Sequence, residues 1–300
     1  MEILFCGTGW FPIVDAIRVR LPDGWNVRSR DFSRPLVDDV GRSEVLLPSN
    51  APFTREVVEA ARAARLLQQP AVGVDGIDLA AAKARGLPVC NAPDTNGDSV
   101  AEATMLLLLA LARRLSALRR SFEAASIGLP VGTELRGKTL GLVGFGQAGR
   151  RVAAIARAMG MTVMHVRRSS PPGDLAEMLA RSDFVSIHCP LTPGTRGLFG
   201  EKAFEAMKPG AMLVNCARGP IIDRAALERA LASGRLAGVA LDVFWEEPWD
   251  PADPLFARED VIVLPHVGGS TDVAFGRIAD IVVANAQRVA RGEEPLHRVA

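Results

Sequence analysis

The stretch Leu140-Gly-Leu-Val-Gly144-Phe-Gly146-Gln-Ala-Gly149-Arg-Arg-Val-Ala-Ala154 decides how this chain is read. It is a short apolar strand, then G-x-G-x-x-G, then a helix-forming segment, with a second apolar run at Thr162 to Val166. The first glycine permits a tight turn, the second lets a diphosphate approach the backbone, and the third lets helix and strand pack closely. Backbone N–H groups at the helix start then face the anion. Three glycines at this spacing are weak evidence alone. A strand before them, and a helix and second strand after them, make them a dinucleotide loop.

The same alternation extends in both directions. Ile3 to Cys6, Val45 to Leu47, Leu66-Leu67, Val89-Cys90, Leu140 to Val143, Phe184 to Ile187, Met212 to Val214, Val239 to Leu241 and Val261 to Leu264 read as strands. Most are continuously apolar, as parallel strands covered on both faces are. Helical patterns lie between them, at Arg55 to Ala64, Leu79 to Arg85 and Arg224 to Ala232 among others. Strict alternation predicts a doubly wound α/β fold, and 300 residues are more than one core comfortably holds, so two domains are expected. Ser99 to Phe122 reads as one long helix, apolar in its first half and basic after it. It is either an ordinary buried helix or one that crosses between domains and packs on another subunit.

Composition excludes several classes. Nearly half of the residues are hydrophobic, and 35 basic residues balance 34 acidic ones. Nothing there favours nucleic acid or an anionic membrane surface. Cys6, Cys90, Cys189 and Cys216 form no C-x-x-C pair and no zinc spacing, so buried reduced thiols and no metal are expected. The opening Met1-Glu-Ile-Leu-Phe5 has no basic leader, and the longest apolar run, Ala103 to Ala112, is too short to span a bilayer. These features predict a cytoplasmic location.

Three later segments each follow a strand: Asn215-Cys-Ala-Arg218-Gly219, Leu241-Asp242-Val-Phe-Trp-Glu246-Glu247-Pro248 and Leu264-Pro-His266-Val-Gly268-Gly-Ser-Thr271. Strand C-terminal ends line the ligand crevice of an open parallel sheet. Hydride transfer to a 2-oxo acid needs the residue types found there. Arg218 offers a planar fork to a carboxylate. His266 supplies a proton near neutral pH. A carboxylate behind the imidazole fixes its tautomer, and Glu247, next to Pro248, is favoured over Glu246. His165, His188 and His297 read as packed or surface residues.

The second strand of a dinucleotide fold normally ends in an acidic residue that binds the ribose 2′-hydroxyl. Here the sequence is His165-Val-Arg167-Arg168-Ser169-Ser170. Two cations and two hydroxyls suit a 2′-phosphate, so NADP(H) is expected over NAD(H).

With these residues in place, the chain resembles the D-isomer-specific 2-hydroxyacid dehydrogenases, which include glyoxylate/hydroxypyruvate reductases and phosphoglycerate dehydrogenases. Gly73-Val-Asp-Gly-Ile-Asp78, Val100-Ala-Glu102, Leu135 to Gly149, His188 to Thr192, Lys208-Pro-Gly210, Asn215 to Gly219, Asp242-Val-Phe244, Glu247-Pro248 and Pro265 to Thr271 carry the resemblance. It implies a Rossmann cofactor domain at 96–271 inserted into a flavodoxin-like substrate domain at 1–95 and 272–300, with a cleft that closes on substrate. It implies Arg218, Glu247 and His266 as the catalytic trio. It implies Gly144, Gly146, Gln147, Ala148 and Gly149 at the diphosphate, and Cys189, Pro190 and Thr192 beside the adenosine half. Cys216, Ala217, Asp242 and Gly268 fall toward the nicotinamide, and the backbone of Val72 and Gly73 toward the substrate carboxylate. A homodimer is implied as well.

The chain departs from the phosphoglycerate enzymes at Leu67-Gln-Gln-Pro-Ala-Val72, which has no arginine and so weakens a phosphorylated substrate. A glyoxylate/hydroxypyruvate-type reductase is therefore the leading expectation. The alternatives are a phosphoglycerate dehydrogenase-like enzyme, a dinucleotide-sensing, corepressor-like relative without turnover, and oxidation of an inorganic donor such as phosphite.

Overall fold

Alternate residues of the first strand, β1 (Glu2–Phe5), enter different cores: Ile3 and Phe5 join one apolar cluster and Leu4 the other. A strand apolar on both faces must be covered on both. The structure, a computed structural model describing residues 1–300, covers it so. The chain divides into two units, Met1–Asn96 with Ser270–Ala300, and Gly97–Gly269.

In the first unit β1, β2 (Asn26–Ser29), β3 (Val45–Leu47), β4 (Leu66–Gln68) and β5 (Val89–Cys90) form a parallel sheet in the order β2-β1-β3-β4-β5. Helices α1 (Pro12–Arg18) and α11 (Asp272–Ala290) cover one face. Helices α2 (Leu36–Asp39), α3 (Arg55–Ala60) and α4 (Leu79–Ala84) cover the other.

The second unit is a parallel sheet of β6 (Thr139–Val143), β7 (Thr162–Val166), β8 (Phe184–Ile187), β9 (Ala211–Asn215), β10 (Leu236–Leu241) and β11 (Val261–Val263). Its order is β11-β10-β9-β8-β6-β7. Helices α5 (Gly97–Ala112) and α7 (Gln147–Ala158) pack on one face, and α8 (Asp174–Arg181), α9 (Glu201–Ala206) and α10 (Arg224–Ala232) on the other. From β6 the chain steps out to β7, then returns past β6 to β8. That reversal opens a crevice at the strand C-terminal ends, and the glycine loop after β6 stands at it.

The structure corrects three expectations and adds one strand. The segment Ser99 to Phe122 is two helices, α5 and α6 (Leu115–Glu123), because Arg114 takes the left-handed conformation at φ 55°. The returning backbone explains the break: Thr133 donates its N–H to the Ala112 carbonyl at 2.7 Å, taking an acceptor at the end of α5. Helix α5 is largely buried, whereas α6 buries no residue. Strand β2 has no apolar run to announce it, since an edge strand here needs only Val27 inside. Helix α3 stops at Ala60, four residues early, at a C-cap with ψ 59°. Cys6 and Cys90 are buried, but Cys189 and Cys216, on loops at strand ends, are only half-buried. Burial still pushes all four thiols up, to about 12 for Cys6 and Cys216 and about 11 for Cys90 and Cys189, so none is a reactive thiolate near neutral pH. No helix is long and apolar enough to cross a membrane.

Candidate active site

Two of the three loop glycines are demanded by the chain itself. A Cβ on Gly144, at φ 97°, would lie 2.5 Å from the His188 carbonyl oxygen, and one on Gly149 would lie 2.5 Å from that of Gly144. Gly146 is different. Its φ is −78° and a Cβ there would meet nothing within 4 Å. Neither packing nor backbone conformation requires glycine at that position, so the absent side chain leaves room. The room lies at the N-cap of α7, which has no side-chain cap, and the first helical N–H groups belong to Gln147, Ala148 and Gly149. A diphosphate fits that cradle by charge and by space. Arg151 donates to the Gln147 amide oxygen at 2.6 Å and also pairs with Asp98.

Across the sheet edge, the Phe145 ring stacks on His165, with centroids 3.8 Å apart and planes 17° from parallel. The Arg167 guanidinium lies 5.0 Å from the same ring centroid. The Arg167 N–H donates to Ser170 Oγ at 3.0 Å, tightening the turn, and Arg167, Arg168 and Ser169 are exposed. Desolvation and the charges of Arg167 and Arg157 hold His165 below the ordinary imidazole range. After β8, the Cys189–Thr192 loop is closed by Thr195, whose Oγ1 accepts from Thr192 N–H at 2.8 Å and donates to the Pro190 carbonyl at 2.7 Å. His188 lies beneath it, 2.8 Å from Ser186 Oγ, and burial pushes it down to about 4, which marks it as a neutral packed residue.

The ends of β9, β10 and β11 carry the remaining candidates. Asn215, fully buried, clamps the next loop: its Oδ1 accepts from Ala217 N–H at 3.0 Å and its Nδ2 donates to the Arg218 carbonyl at 2.9 Å. A Cβ on Gly219 would lie 2.1 Å from the Phe244 carbonyl, so only glycine lets this loop approach the one after β10. Trp245 reinforces the approach by donating its indole N–H to the Ile222 carbonyl at 2.7 Å.

Glu247 is bound at both oxygens. Oε1 accepts from Phe244 N–H at 3.0 Å, and Oε2 lies 2.7 Å from His266 Nδ1. Burial pushes its carboxyl up. The hydrogen bond and charge of His266, the Phe244 N–H and the Arg218 charge outweigh it, and Glu247 sits below the ordinary carboxylate range. The carboxylate on the imidazole thus belongs to Glu247 rather than Glu246. An Nδ1–H donated to it leaves Nε2 as the nitrogen on the far side of the ring.

Asp242 holds the His266 loop. Only 2% exposed, it accepts from Val267 N–H and Gly268 N–H at 2.8 Å each, and a Cβ on Gly268 would come within 2.5 Å of its Oδ2. These bonds offset the cost of His266 at φ 53°, of the order of 1–3 kcal/mol for a non-glycine residue. Burial raises the Asp242 carboxyl despite both N–H donors. Val72 and Gly73 lie in the loop after β4 in the other unit, where Asn91 Nδ2 donates to the Val72 carbonyl at 2.8 Å. Sequence reasoning gave no role to Phe145 or to Asn215. The one signal for Asn215 was a polar residue closing an apolar strand.

A glycine loop at the reversal of a parallel sheet, with an arginine and a carboxylate-backed imidazole at the ends of further strands, defines a dinucleotide-binding α/β oxidoreductase class. Residues 105–268 match the model of the D-isomer specific 2-hydroxyacid dehydrogenase, NAD binding domain. The chain is 38% identical over 260 residues to the glyoxylate reductase of Thermococcus litoralis, covering 80% of this chain and 78% of that one. It is 39% identical over 273 residues to the D-3-phosphoglycerate dehydrogenase of Methanocaldococcus jannaschii, covering 86% of this chain and 52% of that one. It superposes on the crystal structure of a Thermus thermophilus protein with a TM-score of 0.88, 34% identity and full coverage of both chains. It spans about half the length of the archaeal phosphoglycerate dehydrogenases it matches. The chain belongs to the D-isomer-specific 2-hydroxyacid dehydrogenase family.

Proposed function

We propose that this chain reduces small, unphosphorylated 2-oxo acids of the glyoxylate and hydroxypyruvate type to D-2-hydroxy acids, using NADPH in preference to NADH. The observation that carries the reading is the 2.7 Å contact between His266 Nδ1 and Glu247, fixed at strand ends beside the Arg218 loop. When bound, the reduced nicotinamide supplies the hydride that C2 of the substrate accepts.

The chain's own groups do the rest. Arg218 holds the substrate carboxylate with its planar fork. His266 Nε2 faces the carbonyl oxygen and gives it a proton as C2 accepts the hydride. Glu247 keeps the imidazole in the Nδ1–H tautomer. Asp242 positions the histidine through the backbone of the next two residues. The Gly146 cradle and the α7 N-terminus hold the diphosphate, and Arg167, Arg168 and Ser169 take the 2′-phosphate. The stretch Leu67 to Val72 carries no arginine, which favours a substrate without phosphate, and the glyoxylate reductases among the relatives fit that chemistry.

The apolar residues left exposed between 106 and 131 suit a second copy of the chain. Leu115, Leu118 and Phe122 form one face of α6 at 52%, 38% and 86% exposure, and Ile127 and Val131 beyond it are 99% and 76% exposed. Initial rates with glyoxylate, hydroxypyruvate, phenylpyruvate and phosphohydroxypyruvate, each with NADPH and NADH, test the whole reading. Turnover of the first two with NADPH supports it. Preference for the phosphorylated acid moves the chain to the phosphoglycerate class, and dinucleotide binding with no turnover moves it to the sensing class.

A further inference from the structure

Some arginines of this chain meet a carboxylate, and others an aromatic face. Arg28, Arg34, Arg224, Arg258 and Arg291 each pair with a carboxylate of this chain. Arg167 forms no such pair. The side-chain contact it does make is with the face of Phe145, 5.0 Å from the ring centroid. Phe145 is the second residue of the glycine loop and makes no polar contact itself. Its ring is held in turn by His165, stacked at 3.8 Å, one residue before the end of β7. His165, in β7, and Arg167, just past its end, both contact the Phe145 ring. The turn between β7 and α8 is exposed, and a long guanidinium stem at such a site would otherwise sample many rotamers.

We propose that Phe145 is a positioning residue for cofactor discrimination: its ring, braced by His165, holds the Arg167 guanidinium in place with its donors unspent, ready for the 2′-phosphate of NADP(H). The inference rests on the reading of Arg167 as the phosphate ligand. Contact with an aromatic face restricts the stem without consuming an N–H, whereas a carboxylate partner would neutralise the charge that the phosphate needs. Pre-ordering of this kind raises affinity by reducing what binding must immobilise. The residue between the first two glycines thereby affects which dinucleotide is held, although it touches neither phosphate group by hydrogen bond.

The test is calorimetric binding of 2′,5′-ADP and of 5′-ADP to the wild type, Phe145→Leu, Phe145→Tyr, Arg167→Ala and the Phe145→Leu/Arg167→Ala double variant, with Tm recorded for each. Phe145→Leu should weaken 2′,5′-ADP about two- to fivefold, as expected for an exposed cation–π contact, and leave 5′-ADP unchanged. Phe145→Tyr, which keeps the ring, should restore wild-type affinity. In the Arg167→Ala background, Phe145→Leu should have no further effect, because nothing remains to position. If Phe145→Leu weakens both nucleotides equally, or weakens 2′,5′-ADP just as much without Arg167, the ring acts on the loop itself and the proposal fails. If Arg167→Ala lowers 2′,5′-ADP affinity but Phe145→Leu does not, the proposal fails while the reading of Arg167 stands. If the wild type binds the two nucleotides equally, both fall.

Discussion

The strand-end trio and the turn after β7 serve two parts of one proposed reaction, and they are built differently. Each oxygen of Glu247 and of Asp242 has its own donor, the loop carrying Arg218 is clamped by a buried asparagine, and Gly219 lets two loops touch. The turn at Arg167 to Ser169 is exposed, tied down by one hydroxyl and one aromatic ring. Groups that move protons need fixed geometry and gain from partial desolvation. A group that selects between two dinucleotides needs only charge in the right place. Substitution in the trio should therefore change rate, and substitution in the turn should change preference.

That contrast can be broken from either side. The largest effect is expected for His266→Ala, which should lower kcat by roughly 10²–10⁴-fold while dinucleotide affinity in calorimetry stays near wild type. A variant with near-normal kcat would remove His266 from the proton path. Arg218→Lys keeps the charge but loses the fork, and kcat/KM for glyoxylate should fall about 10- to 100-fold, the cost of one charge-assisted hydrogen bond. A change within twofold would free Arg218 from the substrate. In the turn, Arg167→Asp should lower kcat/KM for NADPH by about tenfold or more and invert the preference toward NADH, with kcat nearly unchanged. A fall in kcat with both cofactors would erase the distinction between the two regions.

The smallest effect is on stability. Because Glu247 is held below the ordinary carboxylate range, its contribution is present above the unfolded glutamate value and is lost as pH falls through the lower folded value. Thermal unfolding of wild type and Glu247→Gln should differ by roughly 2–4 °C from neutral pH down to the usual glutamate range. The gap should close only below that range, and a gap that widens in acid would contradict the assigned direction.

The His266–Glu247 contact was only partly legible: Arg218 and His266 each stand three residues past an apolar strand, whereas Glu247 stands six past β10 and was favoured over Glu246 by Pro248 alone. The parallel sheets were legible, since strands buried on both faces leave continuous apolar runs. Strand β2 was not, because Asn26-Val-Arg-Ser29 at a sheet edge buries one residue. The break at Arg114 was hidden too: it depends on backbone from Gly132 and Thr133 crossing the end of α5, and no local propensity records that contact. Phe145 looked like filler between two glycines until its ring was seen against residues twenty positions on.

The central claim is that this site delivers hydride to C2 of a 2-oxo acid on one face. Its most direct test incubates the wild-type protein with hydroxypyruvate and NADPH carrying deuterium at the transferable nicotinamide position, followed by mass and chiral analysis of the product. The account predicts D-glycerate with deuterium at C2, and the label lost from the dinucleotide in equal amount. Unlabelled product, the L isomer, or unchanged hydroxypyruvate beside bound NADPH would contradict it.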